Sequence, residues 1–330
     1  MRRLGGLALC FAVLLAVMAA GAWFYLQQQF EAAGPLESET VVVVQRGAGV
    51  TAIADSLAAA GVIDDSRIFV LGLRLFGDGA SLKAGEYAFA AGTSMQAAAA
   101  LIASGRTVVH RLTVPEGLTS VEVVALLEAA EPLEGDVGEV PPDGSLLPET
   151  YHFHRGDARA EILARMRSSM TAALSEIWET RAADLPLGSP EEALVLASIV
   201  EKETGVASER ALVAGVFTNR LRKGMPLQSD PTVVYGITLG KAALGRSLTR
   251  DDLAAATPYN TYQIGGLPPG PIANPGRASL EAAVNPAESD YLYFVAAGDG
   301  GHAFAKTLAE HNRNVAKWRK HLRGLRAKTQ

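Results

Sequence analysis

A long apolar run, residues 194–200, ends abruptly in the charged residues Glu201, Lys202 and Glu203. Burying a carboxylate is costly unless the group is paired or neutralised. A glutamate at the end of such a run therefore marks either the place where a core helix reaches the surface or an acid placed in a cleft for catalysis. Glu201 is the residue for which the two interpretations differ most.

The helix that carries Glu201 can be delimited from its ends. Ser189 fits the N-cap, Pro190 fits the first helical position, and Glu192 completes a capping box. Gly205 is suited to the position just beyond the C-terminus. Glu201 then lies in the last turn, where burial and the negative end of the helix dipole favour the protonated form of a carboxyl group. A general acid must hold its proton near neutral pH, so this position suits that role.

Glu203 follows two residues later, roughly 200° around a helix with about 3.6 residues per turn. The two carboxyl groups are therefore expected to face apart, unlike the side-by-side pair of a retaining glycosidase. Lys202 and Glu203 have a simple interpretation, because helix ends commonly become polar. For Glu201, the residues alone leave catalysis and a helix end equally open.

Two later segments are rich in groups that bind polar ligands. The segment "MPLQSDPTVVYG" carries Gln228, Asp230 and Tyr235, and the Gly/Pro-rich segment "TPYNTYQIGGLPPGPIANPG" spans residues 257–276. Flat rings and amides on a stiff backbone bind sugars and other polar ligands. Asp230 also has a structural interpretation, as the N-cap of a short helix that begins at Pro231.

Composition excludes several classes of function. The chain has 330 residues, a formal net charge of −5 and scattered basic residues, so it has no nucleic-acid footprint. Its one cysteine, Cys10, excludes a disulfide framework and a cysteine-rich metal site. His152 and His154 have the spacing of a metal-binding pair on a strand, but no third ligand is evident. We expect neither a metal nor a cofactor.

The N-terminus predicts a membrane anchor. Residues 4–26 carry no charged side chain, and about 20 apolar residues are enough to cross a membrane. Arg2 and Arg3 precede the run, so the positive-inside rule places the short N-terminus (residues 1–3) in the cytoplasm and the rest outside the cytoplasmic membrane. The alternative is a cleaved signal peptide with residues 20–22 as the cleavage site, but the run is longer than a usual signal core.

The remainder predicts an α+β protein in two parts. Residues 27–39 are polar and read as a linker, residues 40–106 as a small module, and residues 107–330 as a larger mixed α+β domain. The stretch "VQRGAGVTAIADSLAAAGVI" resembles the opening of a LysM module, a valine strand, a glycine turn and a helix. It departs from that pattern at residues 47–49, Gly-Ala-Gly in place of Gly-Asp-Thr, so we expect weak or no glycan binding by this LysM-like module alone.

Four longer motifs carry a closer resemblance. "LASIVEKETG", "FTNRLRKGMPLQSDPTVVYG", "YNTYQIGGLPPGPIANPG" and "YLYFVAAGDGGHAF" are similar to successive signatures of the endolytic murein transglycosylases, the MltG or YceG-like family, through most of residues 108–318. The resemblance implies a single-pass membrane enzyme that cuts nascent peptidoglycan strands between N-acetylmuramic acid and N-acetylglucosamine without water, leaving 1,6-anhydro ends. It also suggests peptidoglycan synthases (penicillin-binding proteins) as partners in cell-wall assembly.

The resemblance assigns roles to individual residues. The first glutamate of the Val-Glu-Lys-Glu motif, Glu201 in this chain, is implied to be both acid and base, and Glu203→Gln is expected to be mild. The residues expected to hold the sugars are Gln228, Asp230, Tyr235, Asn260, Thr261 and Tyr262. One alternative is a muramidase, which activates water and needs a second carboxylate such as Asp230 or Glu149. The other is a membrane-tethered scaffold that binds glycan without cutting it.

Overall fold

The chain combines helices with short strands that pair two by two. The computed structural model describes residues 2–77 and 81–328. The helices are α1 (Arg2–Glu31), α2 (Val50–Ala59), α3 (Ser66–Phe76), α4 (Met95–Ser104), α5 (Ser120–Ala129), α6 (Arg159–Glu179), α7 (Pro190–Glu203), α8 (Arg210–Arg222), α9 (Asp230–Thr238), α10 (Arg250–Ala254), α11 (Arg277–Val284) and α12 (Leu308–Lys328). The strands are β1 (Thr40–Val44), β2 (Gly85–Phe89), β3 (His110–Thr113), β4 (Thr150–Phe153), β5 (Tyr293–Ala296) and β6 (His302–Ala305). They form three two-stranded sheets, β1–β2, β3–β4 and β5–β6, so the predicted α+β class is confirmed.

The chain divides into two units. The first comprises residues 1–110 with 152–156, and the second comprises residues 111–151 with 157–330. The first unit thus includes a short segment that lies far from it in sequence. Glu86, buried on β2, explains this, because its carboxylate contacts the imidazole of His110 and lies 3.3 Å from Nε of Arg155. No motif in the sequence indicated this pairing.

The first unit is built on an antiparallel pair of strands. β1 and β2 pair in a register that runs from Thr40 opposite Phe89 to Val44 opposite Gly85. Helices α2, α3 and α4 complete a core that contains the fully buried Leu57, Phe69 and Tyr87. The predicted strand, glycine turn and helix at the start of this module are confirmed. Its assignment as LysM-like stays a prediction.

Helix α1 continues into the stretch that was expected to be a linker. Its residues Leu9–Glu31 are long and apolar enough to cross a membrane, a criterion that a signal sequence also meets. At its C-terminal end Phe30 is buried against Phe69 and Phe76, with ring centroids 6.4 and 5.9 Å apart. Residues 27–31 therefore form the C-terminal end of α1 and not a linker. They are polar apart from Phe30, whose ring packs into the core of the first unit.

Helix α7 lies at the core of the second unit. Ser189 caps it by accepting a hydrogen bond from the backbone of Glu192, and Pro190 is at its start, as predicted. The capping box is not formed, because the Glu192 carboxylate accepts from the backbone of Gly188 instead. Ala193 and residues 195–200 are buried against α6, α8 and α11, and Leu194 is partly buried there. The helix ends at Glu203, so both candidate carboxyl groups lie in its last turn.

Candidate functional site

A cavity of about 470 Å³ lies at the C-terminal end of α7. This volume is in the range of small-ligand sites in proteins. Residues from α7, α8, the α8–α9 loop, the start of α9, the α10–α11 loop, the β5–β6 hairpin and α12 line it. Those with polar groups that matter below are Glu203, Arg220, Gln228, Asp230, Tyr262 and His302.

The carboxyl group of Glu203 has the environment of a proton donor. Burial raises the pKa of Glu203 to about 7, and the nearby charge of Asp230 acts in the same direction. A hydrogen bond from Ser229 Oγ to Oε1, 2.5 Å long, opposes this shift, as do the positive charge of Arg220 and that of His302 when its ring is protonated. Near neutral pH a large fraction of this carboxyl group is protonated, which is the state that a general acid requires.

The carboxyl group of Glu201 lies in a different environment. Its Oε2 accepts a hydrogen bond of 2.9 Å from the backbone of Gly276, and its Oε1 lies 3.5 Å from Nη2 of Arg210. The side chain is 5% exposed, and Arg210 also binds Glu116 at 3.0 Å. Glu201 lines neither the cavity of Glu203 nor the second cavity described below. Its carboxylate is therefore paired within the protein.

Gln228 lies in the cavity with an unusual backbone conformation. Its φ is 53°, in the left-handed region that residues other than glycine rarely adopt. Such strain persists where surrounding contacts enforce it, and it is frequent at functional sites. Here the backbone N–H donates to the carbonyl of Thr261, and the side-chain Oε1 accepts from Nη1 of Arg220. Because arginine has only donors, the amide oxygen faces Arg220 and leaves the NH₂ group for the cavity.

Asp230 and Tyr262 form a pair on the cavity wall. The Tyr262 hydroxyl donates to Oδ1 of Asp230 at 2.7 Å, and burial together with this carboxylate raises the pKa of Tyr262. Asp230 is the first residue of α9, and Ser229 occupies the N-cap position that the sequence allowed for Asp230. The Asp230 side chain is therefore free to take part in the site.

Tyr235 borders a second cavity of about 450 Å³, which Asp230 also lines. Its hydroxyl donates to Oδ2 of Asp143 at 2.6 Å, and its ring centroid lies 4.7 Å from that of Tyr259. The second cavity is more apolar, with Val234 among its lining residues. Because the two cavities meet at Asp230, they extend the site along one face of α9.

Asn260 and Thr261 are fully buried and line neither cavity. The Asn260 amide donates to backbone carbonyls that include that of Ala255, at 2.7 Å. Thr261 Oγ1 accepts from the backbone of Ser229 and lies 2.8 Å from Oγ1 of Thr232. These two side chains hold the loop that carries Tyr262 and the segment that carries Ser229.

The sequence can now be placed among known proteins. Residues 42–317 match the YceG-like family, which is more than half of the chain. This chain belongs to the YceG-like family. Membership confirms the resemblance that the four motifs indicated.

Relatives in this YceG-like family have names that indicate an activity. A protein of Bacillus subtilis (strain 168) named "Endolytic murein transglycosylase" is 32% identical over 336 residues, covering 90% of each chain. One of the same name from Streptococcus pneumoniae serotype 2 is 29% identical over 360 residues, covering 93% of this chain and 64% of that relative. A crystal structure of a putative YceG-like protein from Listeria monocytogenes has a TM-score of 0.56 at 30% identity, covering 84% of this chain and 99% of that one.

Several polar groups of this YceG-like site were not singled out in the sequence. The sequence pattern favours a polar helix end for Glu203, and no residue pattern assigns Ser229, Arg220 or Glu209 to a site. The helical angle correctly predicts that Glu201 and Glu203 face apart, but it does not reveal which side faces a cavity. That information comes from segments distant in the chain, so no local signal was available.

Proposed function

We propose that this protein is a lytic transglycosylase that cleaves peptidoglycan strands between N-acetylmuramic acid and N-acetylglucosamine. The names of its relatives support the substrate and the reaction class. One observation carries the proposal, a carboxyl group with a pKa of about 7 in the wall of a cavity large enough for sugars. Such a group is what the cleavage of a glycosidic bond needs first, because the leaving oxygen must receive a proton.

Glu203 is the general acid in this proposal. It borders the cavity and holds a proton near neutral pH, whereas Glu201 is paired with Arg210 and Gly276. The sequence hypothesis assigned the role to Glu201. Both glutamates lie in the Val-Glu-Lys-Glu motif, so that motif can supply the catalytic acid from either position. Substituting each glutamate separately decides between them.

The reaction consumes no water. Glu203 donates its proton to the glycosidic oxygen, and the bond from that oxygen to C1 of the muramyl residue breaks. The C6 hydroxyl oxygen of the same sugar bonds to C1 and loses its proton to a base, which closes a 1,6-anhydro ring. The family resemblance gives both proton transfers to one carboxyl group, which the sequence hypothesis identified as that of Glu201.

Three side chains of the cavity bind the sugars in this proposal. The NH₂ group of Gln228 donates to an acetamido carbonyl, Asp230 accepts from a sugar hydroxyl, and the ring of Tyr262 packs on a sugar face. Because Asp230 also lines the second cavity, a strand longer than the sugars at the cleaved bond can extend along α9 towards Tyr235.

A muramidase remains the second candidate, because the cavity holds a second carboxylate. Asp230 lines the same cavity as Glu203 and, as a base, could activate a water molecule. The hydrogen bond that Asp230 accepts from Tyr262 engages one of its oxygens and leaves the other available. The products separate the two candidates, since hydrolysis leaves a reducing end and transglycosylation does not.

Helix α1 and the charges before it support a location in the cytoplasmic membrane. We propose that the apolar run of residues 4–26 crosses the cytoplasmic membrane, with Arg2 and Arg3 on the cytoplasmic side and the catalytic unit outside. At that place the enzyme meets strands as they are made, so peptidoglycan synthases are the partners to test. Cross-linking in cells that captures no synthase would remove that part of the proposal.

The proposed activity is tested by the ends that the enzyme produces. Purified full-length protein in detergent is incubated with uncross-linked peptidoglycan strands, and the products are separated and weighed. We expect 1,6-anhydromuramic acid ends, one water lighter than hydrolysis products and unchanged by borohydride. Ends that borohydride reduces would identify a muramidase, and intact strands would identify a scaffold.

A further inference from the structure

A glutamate and a histidine beside the catalytic cavity are bound to each other at two points. Oε1 of Glu209 accepts the backbone N–H of His302 at 2.8 Å, and Oε2 lies 2.7 Å from its Nδ1. Glu209 ends the 3₁₀ turn before α8, and His302 begins β6. The side chains are only 15% and 16% exposed. One carboxylate therefore fixes both the backbone and the ring of His302.

The hydrogen bonds define which nitrogen of His302 carries the proton. Burial acts to raise the pKa of Glu209, but its hydrogen bonds and attraction to His302 outweigh this and hold the pKa below its usual range. Glu209 is therefore a carboxylate, which only accepts hydrogen bonds, so Nδ1 of the neutral ring must donate. The lone pair is then on Nε2, which makes no hydrogen bond within the described part of the chain.

The ring is held at the wall of the cavity that Glu203 lines. His302 is among the residues lining this cavity, and the edge-to-face contact with Phe294, 5.3 Å between centroids at 88°, restricts its rotation. A carboxylate that orients an imidazole, whose other nitrogen faces a substrate hydroxyl, is a recurrent arrangement for removing that proton. If the Glu209–His302 hydrogen bonds served only to hold the β5–β6 hairpin against α8, the ring would not need to line the cavity.

We propose that His302 is a second catalytic residue, which takes the proton of the muramyl C6 hydroxyl while Glu203 protonates the leaving oxygen, and that Glu209 is its positioning residue. The inference rests on the proposed transglycosylase function. The family resemblance gives both proton transfers to one carboxyl group. In this inference, Glu203 donates one proton and His302 accepts the other. This division requires Glu203 in its protonated form, which its burial favours, and His302 in its neutral form.

The proton balance closes within the site. The C6 hydroxyl proton moves to Nε2 as the oxygen–C1 bond forms, and the proton of Glu203 moves to the oxygen that leaves C1. His302 is then an imidazolium and Glu203 a carboxylate. Transfer of the proton from His302 to Glu203, directly or through solvent after product release, restores both groups. No oxidant, reductant or water is consumed.

The test uses chemical rescue on the full-length protein. His302→Ala leaves space for a free base, so we expect a loss of about 10²-fold or more in kcat and recovery of about tenfold or more on addition of imidazole. His321→Ala, which removes an exposed histidine on α12, is the matched control and should show neither effect. Circular dichroism checks that both variants fold.

A second measurement serves if the truncated variant folds poorly. His302→Gln retains a polar side chain but has no titrating base, so the fall of kcat at acidic pH should disappear, while the fall at alkaline pH set by Glu203 remains. Glu209→Gln should move the acidic fall to lower pH, because the imidazolium loses its carboxylate partner. The titratable or charged groups that surround His302 and must be considered in these profiles are Glu203, Glu209, Arg220, Asp230, Tyr262, Tyr293, Asp299 and His311.

One result overturns the inference and is distinct from failure of the proposed function. An unchanged acidic fall in His302→Gln, with no rescue of His302→Ala, shows that His302 is not the base. In that case Glu203→Gln is still inactive if the enzyme is a transglycosylase. Strands left uncut by the wild-type protein contradict the proposed function itself and the inference with it.

Discussion

The Ser229 hydroxyl donates a hydrogen bond of 2.5 Å to Oε1 of Glu203, and it is the only side-chain donor to that carboxyl group among the contacts of the described residues. The backbone of Ser229 is in turn held by Thr261 Oγ1. Burial raises the pKa of Glu203, and this hydrogen bond lowers it. Ser229 therefore limits how strongly Glu203 holds its proton, a property that sets the pH range of the reaction in the proposed mechanism.

Removing this donor should move the pH dependence in one direction. In Ser229→Ala the ionised form of Glu203 loses a hydrogen bond, so its pKa should rise and the alkaline fall of kcat should move to higher pH. The activity near pH 7 should change by about tenfold or less. Measured kcat values from about pH 5 to 9 check this, with Ser175→Ala on the exposed side of α6 as the control. An alkaline fall that stays in place would show that Ser229 does not tune the acid.

The raised pKa of Glu203 also predicts a pH-dependent stability. Between about pH 4.5 and 7 the folded chain keeps the Glu203 proton while the unfolded chain loses it. The free energy of unfolding should therefore fall as pH rises through this window, and Glu203→Gln should remove that fall. At pH 8 the variant should be more stable than the wild type by about 1–3 kcal/mol, and at pH 4 about equal. Urea unfolding in detergent at both pH values measures the difference.

The matched variant for this experiment is Glu201→Gln. It weakens the pairing with Arg210 and leaves that buried guanidinium to Glu116 alone, so it should lower the stability at pH 8. We therefore expect the change in the free energy of unfolding at pH 8 to have opposite signs in the two variants, although the two residues are only two positions apart on the helix. Equal destabilisation by both would contradict the different environments of the two carboxyl groups.

The side-chain NH₂ group of Gln228 should be needed to donate a hydrogen bond to the substrate. Gln228→Glu keeps the shape of the side chain and the contact with Arg220 but replaces the NH₂ group by an acceptor. We expect kcat/KM on N-acetylated strands to fall by about 10–100-fold, because an acetamido carbonyl then faces a carboxylate. Gln45→Glu, an exposed change in the first unit, is the control and should leave kcat/KM unchanged. Full activity of Gln228→Glu would exclude this contact.

The apolar helix should remain in the mature protein. Mass spectrometry of the protein purified from native membranes should find the N-terminus ahead of residue 4, since Leu9–Glu31 is long enough to be an anchor. A mature chain that begins near Trp23 would instead identify a cleaved signal peptide.

The burial of Phe30 in the first unit predicts that Phe30→Ala lowers the free energy of unfolding by about 3–5 kcal/mol.

Local features of the fold could be predicted because their signals are local. Ser189 and Pro190 mark the start of α7, and the helix predicted between them and Gly205 corresponds to Pro190–Glu203. Caps and apolar periodicity depend on residues within a few positions of each other. The continuation of α1 to Glu31 was missed, because the single aromatic Phe30 that holds it finds its partners on α3.

The site could be predicted only in part. The motifs located Gln228, Asp230 and Tyr262, which the structure brings to one cavity, but they also included Asn260 and Thr261, which are buried below it. Membership of a motif does not distinguish a ligand contact from a side chain that holds a loop. The choice between Glu201 and Glu203 depends on Ser229 and His302, which are distant in sequence from α7.

The most direct measurement compares Glu203→Gln with Glu201→Gln in the assay of strand ends. Both substitutions keep side-chain volume and remove one transferable proton. We predict that Glu203→Gln stays folded and lowers the formation of 1,6-anhydro ends by about 10²–10⁴-fold or more, while Glu201→Gln retains activity within about tenfold of the wild type. The reverse result, an inactive Glu201→Gln and an active Glu203→Gln, would contradict the assignment of Glu203 as the acid and restore the one made from the sequence.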